Sequence, residues 1–237
     1  MKTLIVAPMS REARAIPRDV FVCGSGPDAP KRVIAAADAA GAEIVIITGV
    51  CGGLDPSLAP GSVILCRKLV AGDGPELAPH PALLESARRA LRAVAIPFVS
   101  STLLTVERPM ASKEERTAAW NKYGAAGVDM ETYGIVQALE ARGARWLALR
   151  AVVDPAGEGL PSALLEWRAE EDEREILRRL LRTPKSWPSL VRLAFQMRSA
   201  TRALSRAVAP IADAAGTLAP PTEAREEPRS VQFISVQ

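Results

Sequence analysis

A run of β-branched residues that ends in glycines constrains the fold of this chain more than any other stretch. The run "EIVIITGVCGGL" (43–54) is apolar at consecutive positions, so a strand formed by it is buried on both faces. Strands of this kind belong to parallel sheets that are covered by helices on both sides. The run therefore predicts a buried strand of an α/β protein.

Strand-like and helix-like segments alternate through the first 155 residues. The predicted strands are 3–7, 20–26, 43–54, 61–69, 97–106, 125–130 and 145–154, and the predicted helices are 29–42, 81–96, 112–124 and 131–143. Ser112 and Glu115 form a capping-box pattern at the start of one of these helices. The alternation predicts an αβα sandwich around a mixed, largely parallel sheet.

The pattern changes after Pro161. Two further helices are predicted, at 164–182 and 186–208, and a Pro- and Ala-rich stretch follows them. We therefore expect a main domain over 1–183, a basic amphipathic helical extension over 184–208 and a poorly ordered tail over 209–237.

The charge distribution excludes a general nucleic-acid surface. The net charge is +3, but residues 184–208 contain Lys185, four arginines and no acid, so the remainder carries −2. The basic character thus belongs to one segment, and no nucleic-acid partner is expected.

Cysteine, histidine and hydropathy patterns limit the remaining classes. Three cysteines and one histidine show no metal-ligand spacing, so no metal site and no disulfide framework are expected. The first apolar run breaks at Pro8, which is unlike a signal peptide, and no run of 18 apolar residues follows. A cytoplasmic protein is expected.

Acidic side chains follow three of the predicted strands, where ligands of α/β sheets bind. Glu12 follows the first strand, Met130 and Glu131 follow "GVD", and Asp154 ends "LALRAVVD". Each has an ordinary structural explanation when taken alone. Glu131 could cap a helix, Asp154 could form a turn, Glu12 could be a solvated helix charge and Met130 could pack in the core.

Taken together, the motifs resemble the nucleoside phosphorylase/nucleosidase superfamily. They are "APMSREA", "ITGVCGGLDPSLAPGSVI", "GVDMET" and "LALRAVVD", within residues 1–160. The sequence is most similar to the branch acting on methylthioadenosine and S-adenosylhomocysteine. The segment "RAVVDPAGEGLP" and the basic extension also resemble the hopanoid-associated phosphorylases, which are described as adenosylhopane nucleosidases. The resemblance implies the nucleoside phosphorylase fold and a homodimer.

The resemblance implies roles for individual residues. Asp154 would be the general acid that protonates adenine N7, and Glu12 would orient or deprotonate the attacking water. Glu131 would accept hydrogen bonds from the ribose 2′- and 3′-hydroxyls, and Met130 would pack against ribose and base. Asp129 would have a structural role.

The glycine-rich turn and the residue before Asp154 complete the predicted substrate site. Gly52 allows the backbone to approach the ligand closely. Val50 and Val153 stand where the family has serine, and the loss of two hydroxyls implies a more apolar substrate or an altered rate. Water is the expected nucleophile and no cofactor is expected. Phosphate stays open as the alternative, with "GSGP" (24–27), Arg11 and Arg32 as its cradle.

The resemblance implies cleavage of adenosylhopane to adenine and ribosylhopane. The alternatives are a methylthioadenosine/S-adenosylhomocysteine nucleosidase, a purine nucleoside phosphorylase and a non-catalytic nucleoside- or lipid-binding protein. A lipid substrate would give the 184–208 helix a reason to contact the inner membrane surface. In that helix Leu190, Leu193, Met197, Leu204 and Val208 would face acyl chains, with arginines opposite. The competing interpretation is an ordinary helix packed on the domain or at a dimer interface.

Overall fold

The computed structural model describes residues 1–158 and 187–218. Its elements in chain order are β1 (Thr3–Ala7), α1 (Ser10–Ala15), β2 (Phe21–Val22), α2 (Ala29–Ala40), β3 (Ile44–Gly53), β4 (Val63–Val70), α3 (Pro81–Ala93), β5 (Phe98–Thr105), α4 (Lys113–Tyr123), β6 (Ala125–Asp129), α5 (Thr132–Ala141), β7 (Arg145–Asp154) and α6 (Trp187–Gly216). The predicted helix 164–182 and the residues after 218 lie outside the described residues.

The seven strands form one mixed sheet that partly closes on itself. Its order is β2-β1-β3-β6-β5-β4-β7, and β3 also pairs with β7. Five strand pairs are parallel, and the β3–β6 and β4–β7 pairs are antiparallel. Strand β3 bridges the open part of the sheet and the closed part. It therefore lies beside both β6 and β7, whose carboxyl ends carry the predicted acids.

Helices cover both faces of the sheet, which confirms the predicted αβα sandwich. On one face α3 and α6 pack over β3, β4 and β7, around a core cluster that includes Ile46, Leu149 and Leu204. On the other face α2 and α5 pack over β1, β3 and β7, around a cluster that includes Ile47 and Val136. The apolar run of β3 contributes to both clusters, as its sequence predicts.

Two predicted elements differ from the structure in length by more than three residues. Strand β2 has only two residues, because the glycines that follow Cys23 turn the chain away from β1. Helix α6 continues to Gly216, so the prediction of a poorly ordered tail is wrong for residues 209–216. Pro210 lies inside this helix at a cost of about 3 kcal/mol. Burial of Ile211 and Ala215 in the core offsets that cost.

The predicted membrane face of α6 is wrong over its C-terminal part. Leu204 and Val208 are fully buried against the sheet, and Leu193 and Met197 pack partly against the same cluster. Arginines 192, 198, 202 and 206 are exposed, as the packed-helix interpretation predicts. Among the α6 side chains that the structure describes, the exposed large apolar ones are Val191 and Phe195, near its N-terminus. Within residues 1–158 and 187–218, no helix combines the length and apolar character needed to cross a bilayer.

Candidate active site

The side chain of Glu12 is buried at the carboxyl end of β1, although it belongs to a short surface helix. Its Oε2 accepts a hydrogen bond from the Met9 N–H (2.9 Å), which caps the start of α1. Its Oε1 accepts from the Val50 N–H (2.8 Å) of β3. Only 1% of the residue is exposed, so it is not a solvated helix charge. Two backbone donors hold the carboxylate at the mouth of the sheet.

Arg150 is a buried cation next to Glu12. It lies in the middle of β7, and its Nε donates to Asp129 Oδ2 (2.8 Å). Its two Nη atoms donate to Thr48 O (3.0 Å) and Thr132 Oγ1 (2.6 Å). Burial disfavours its charge, but the carboxylates of Asp129, Glu12 and Glu131 act together to raise its pKa. The single guanidinium of Arg150 therefore interacts electrostatically with three carboxylates.

Asp129 has the structural role that the resemblance implies. Its Oδ1 accepts from Thr105 Oγ1 (2.7 Å) and from the Thr132 N–H (3.3 Å). Its Oδ2 accepts from Arg150 and from the Thr132 hydroxyl. With both oxygens occupied, the carboxylate ties β5, β6, α5 and β7 together.

Glu131 differs from Asp129 in that no cation within residues 1–158 and 187–218 is hydrogen-bonded to it. It occupies the N-cap position of α5, yet its side chain accepts no capping hydrogen bond. Burial, followed by the charges of Asp129 and Glu12, raises the pKa of Glu131 to about 7, while Arg150 opposes the rise. Glu131 is therefore half-protonated near neutral pH, and no cation among the described residues holds its carboxylate. Met130 beside it is half-buried.

Asp154 ends β7 and forms a second, separate ion pair. It is 6% exposed, and its Oδ2 accepts from Nη2 of Arg116, which is 1% exposed. Nη1 of Arg116 also donates to the carbonyl oxygens of Asp154 (3.3 Å) and Pro155 (3.2 Å). Burial raises the pKa of Asp154, and Arg116 acts against that rise. Burial at the strand end thus shifts the Asp154 carboxyl toward its protonated form, and Arg116 opposes that shift.

Two glycines of β3 let these groups meet. Gly49 has a φ of +149°, and a Cβ there would lie 2.2 Å from Arg150 Nη1 and 3.1 Å from Glu12 Oε1. Gly52 pairs with Asp154 across the strands, and a Cβ there would lie 3.6 Å from both carboxyl oxygens. Any side chain at position 49 would therefore displace Arg150 or Glu12.

The two valines that replace serines point away from this cluster. Val153 belongs to the core cluster beneath α6, and the Val50 side chain packs against the same cluster. Position 50 reaches the candidate site through its backbone N–H, which donates to Glu12. A serine hydroxyl at either position would therefore lie on the face of the sheet that packs against this core cluster.

One cation of the predicted phosphate cradle, Arg32, donates hydrogen bonds to backbone carbonyls in and beside the cradle loop. Arg32 Nε donates to Cys23 O, and its Nη2 donates to Ser25 O (3.1 Å), so this side chain braces the "GSGP" loop. Arg11 is exposed on α1. Across residues 1–158 and 187–218, no group of three or more His, Cys, Asp or Glu side chains could hold a metal ion.

Comparison with known proteins establishes the family. A family model described as the phosphorylase superfamily matches residues 17–183, which is most of the chain. This chain belongs to the phosphorylase superfamily. The family model does not cover Glu12, so the structure alone places Glu12 in the candidate site. No curated protein matches the chain significantly.

Solved structures share the fold of this superfamily member at low sequence identity. A 5′-methylthioadenosine/S-adenosylhomocysteine nucleosidase from Campylobacter jejuni has a TM-score of 0.66 and 16% identity, over 92% of this chain and 100% of that one. The Neisseria meningitidis nucleosidase, in complex with methylthio-immucillin-A, has a TM-score of 0.68 and 17% identity, over 89% and 98%. Futalosine hydrolase from Helicobacter pylori has a TM-score of 0.67 and 15% identity, over 90% and 97%. These values confirm the fold.

Sequence reasoning missed both arginines of this phosphorylase-superfamily site. Arg150 had a readable signal, since a cation inside the apolar strand "LALRAVV" has to be paired when the strand is buried. Arg116 had none, because "SKEERTAAW" is typical of an exposed helix. The structure brings Glu12 and Arg150 together at Gly49 and places Asp154 beside Gly52. Glu131 interacts electrostatically with both Glu12 and Arg150.

Proposed function

We propose that this protein hydrolyses the N-glycosidic bond of an adenosine-type nucleoside. The supporting observation is the arrangement at the carboxyl end of the sheet, where Glu12, Glu131 and Arg150 interact and the buried Asp154 ends β7, the strand that carries Arg150. The structural neighbours whose names describe nucleosidases and a futalosine hydrolase support a reaction of this kind.

In the proposed reaction each acid has one task. Asp154 gives its proton to adenine N7 as the bond between C1′ and the base nitrogen breaks and its electron pair moves to the base. Glu12 takes a proton from water as the water oxygen bonds to C1′. Glu131 accepts hydrogen bonds from the ribose 2′- and 3′-hydroxyls, and Met130 shields the sugar from bulk water. The products are adenine and a ribosyl compound.

The charge balance favours water over phosphate as the nucleophile. Three carboxylates share Arg150, so the cluster is negative when all of them are ionised. Glu12 also occupies the Val50 N–H, and Arg32 donates to carbonyl oxygens. The uncompensated negative charge of the cluster would repel an attacking phosphate, whereas it would not repel a neutral water molecule.

The specific substrate we propose is adenosylhopane, on the basis of the sequence resemblance. An exposed apolar surface near the site is compatible with a lipid tail. Glu158, in the turn after Asp154, accepts a hydrogen bond from Gln196 Nε2 (2.9 Å) and lies 3.3 Å from Arg192 Nε. The exposed Val191 and Phe195 therefore lie on the helix segment nearest that turn. Methylthioadenosine and S-adenosylhomocysteine, named for the structural neighbours, are the second candidate substrates.

Adenine release tests these proposals directly. Adenosylhopane in anionic liposomes and methylthioadenosine in solution are each incubated with the protein, with and without phosphate. We expect adenine from the lipid substrate without phosphate, and a rate that falls as salt weakens contact between the liposomes and the α6 arginines. Strict phosphate dependence would contradict hydrolysis. Activity on methylthioadenosine alone would reassign the substrate, and no adenine from either would indicate a binding protein.

The titration of Glu131 predicts how substrate binding changes with pH. Only the carboxylate accepts both ribose hydroxyls, and its pKa is about 7. We therefore expect KM to rise as pH falls below 7, approaching roughly tenfold per pH unit. Steady-state kinetics between pH 5.5 and 8.5 would measure this. Glu131→Gln is the control and should show a high KM that is flat with pH. A constant native KM over that range would contradict the role of Glu131.

A further inference from the structure

Arg116 occupies a position in the candidate site that no role so far explains. It lies on α4, remote in sequence from β7, and its guanidinium is buried against the Asp154 carboxyl. The guanidinium donates four hydrogen bonds, to Asp154 Oδ2 and to the carbonyl oxygens of Met110, Asp154 and Pro155. These four hydrogen bonds hold the guanidinium in place, so its orientation relative to the Asp154 carboxyl is also fixed.

A purely structural clamp would not need the carboxyl. The three carbonyl contacts alone join α4 and the loop before it to the end of β7. The clamp instead places a buried cation against the Asp154 carboxyl, and burying a charge is costly compared with apolar packing. The Arg116 Nε is buried and has no hydrogen-bond partner among the described residues, which adds to the cost. The pair therefore calls for a functional explanation.

We propose that Arg116 is a positioning residue that selects the proton-donating oxygen of Asp154 and stabilises the carboxylate left after proton transfer. This inference rests on the proposed function of Asp154 as the acid. Because Arg116 donates to Oδ2, that oxygen acts as the acceptor, and the acidic proton resides on Oδ1. Oδ1 is the oxygen that Arg116 leaves free to face a base.

The charge of Arg116 also sets the strength of the acid. When Asp154 gives its proton to the base, a negative charge forms in a buried, apolar place, and a fixed guanidinium beside it stabilises that charge. Burial alone raises the pKa of Asp154 and would make it reluctant to release its proton. Glu158 is the other described charge that acts on Asp154, and it raises the pKa of Asp154 further. The buried Cys51 thiol of β3 interacts electrostatically with both Asp154 and Arg116. Arg116 is thus the cation that opposes burial.

The first test is the pH profile of Arg116→Met, with Arg108→Met as the matched control. Arg108 is exposed and pairs with the half-buried Glu115 carboxylate of α4, and no contact joins it to Asp154 among the described residues. In Arg116→Met we expect kcat to fall by about 10²-fold with little change in KM, since a misplaced catalytic group costs about that much. The alkaline limb of kcat/KM should move to higher pH, because the pKa of Asp154 rises when the cation is lost. An unmoved limb would overturn the proposal.

Two further variants keep the proposal testable if Arg116→Met does not fold. Arg116→Lys keeps the charge and loses the planar fork. In Arg116→Lys the alkaline limb of kcat/KM should stay at its native pH, but kcat should be lower than native. A native kcat would overturn the positioning role. In Arg116→Ala, added guanidinium ion should restore kcat in a saturable way, whereas no restoration in a folded variant would count against it. Asp154→Asn separates the two ideas, because an active Asp154→Asn refutes the proposed acid itself.

Discussion

Replacing Asp154 by Asn should lower adenine release by about 10²–10⁴-fold, the range that general acid catalysis contributes. The amide cannot supply the proton that the leaving base needs, yet its oxygen can still accept from Arg116. Nucleoside binding should therefore remain close to native. Chromatography of released adenine and calorimetric titration with the nucleoside would measure the two quantities separately.

Asp19→Asn is the control for this variant. Asp19 is exposed and precedes β2, at the end of the sheet away from the candidate site. It should have native turnover. A native rate for Asp154→Asn would refute the assignment of the acid, and a loss of binding equal to the loss of rate would mean that Asp154 holds the base without protonating it.

Arg150→Met should destabilise the fold by about 3–5 kcal/mol at pH 8, the cost of removing one partner from a buried charge network. The variant leaves Asp129 buried without its cation and removes the charge that opposes repulsion among Asp129, Glu12 and Glu131. Arg150 opposes the rise in the pKa of Glu131, so its loss raises that pKa further in the folded state. The loss of stability should therefore grow as pH rises and shrink toward pH 5. Urea unfolding at pH 5 and pH 8 would measure it.

The double variant Arg150→Met, Asp129→Asn identifies the cause. Removing the buried negative charge as well should recover part of the lost stability, because a neutral amide at position 129 needs no counter-charge. The exposed Arg202 gives a control, and Arg202→Met should stay within about 0.5 kcal/mol of the native protein. An Arg150→Met protein as stable as the control would contradict the network.

The fold could be predicted from sequence because its signals are local. The β3 run is apolar at consecutive positions, and Ser112 and Glu115 do form the predicted capping box of α4. Strand β7 ends at Asp154 as the sequence predicts, and β6 ends at Asp129, one residue before its predicted end. Periodicity, caps and glycines act within a few residues, so they can be read without knowing what lies opposite.

The C-terminal helix shows where local reading fails. Its apolar residues at helical spacing predict a helix equally well for a membrane surface or a protein core. Only the positions of β3, β7 and α3 decide that Leu204 and Val208 are buried. For the same reason Pro210 does not end the helix, since burial of later residues such as Ile211 offsets the local cost.

By itself the sequence determined the strand ends and the acids that follow them, Glu12, Glu131 and Asp154. Only the tertiary structure decided their charge states, because those depend on partners that are distant along the chain. Arg150 crosses from β7 to Asp129, and Arg116 crosses from α4 to Asp154. A buried carboxyl takes its pKa from burial and from the cations beside it, and both are properties of the packed fold.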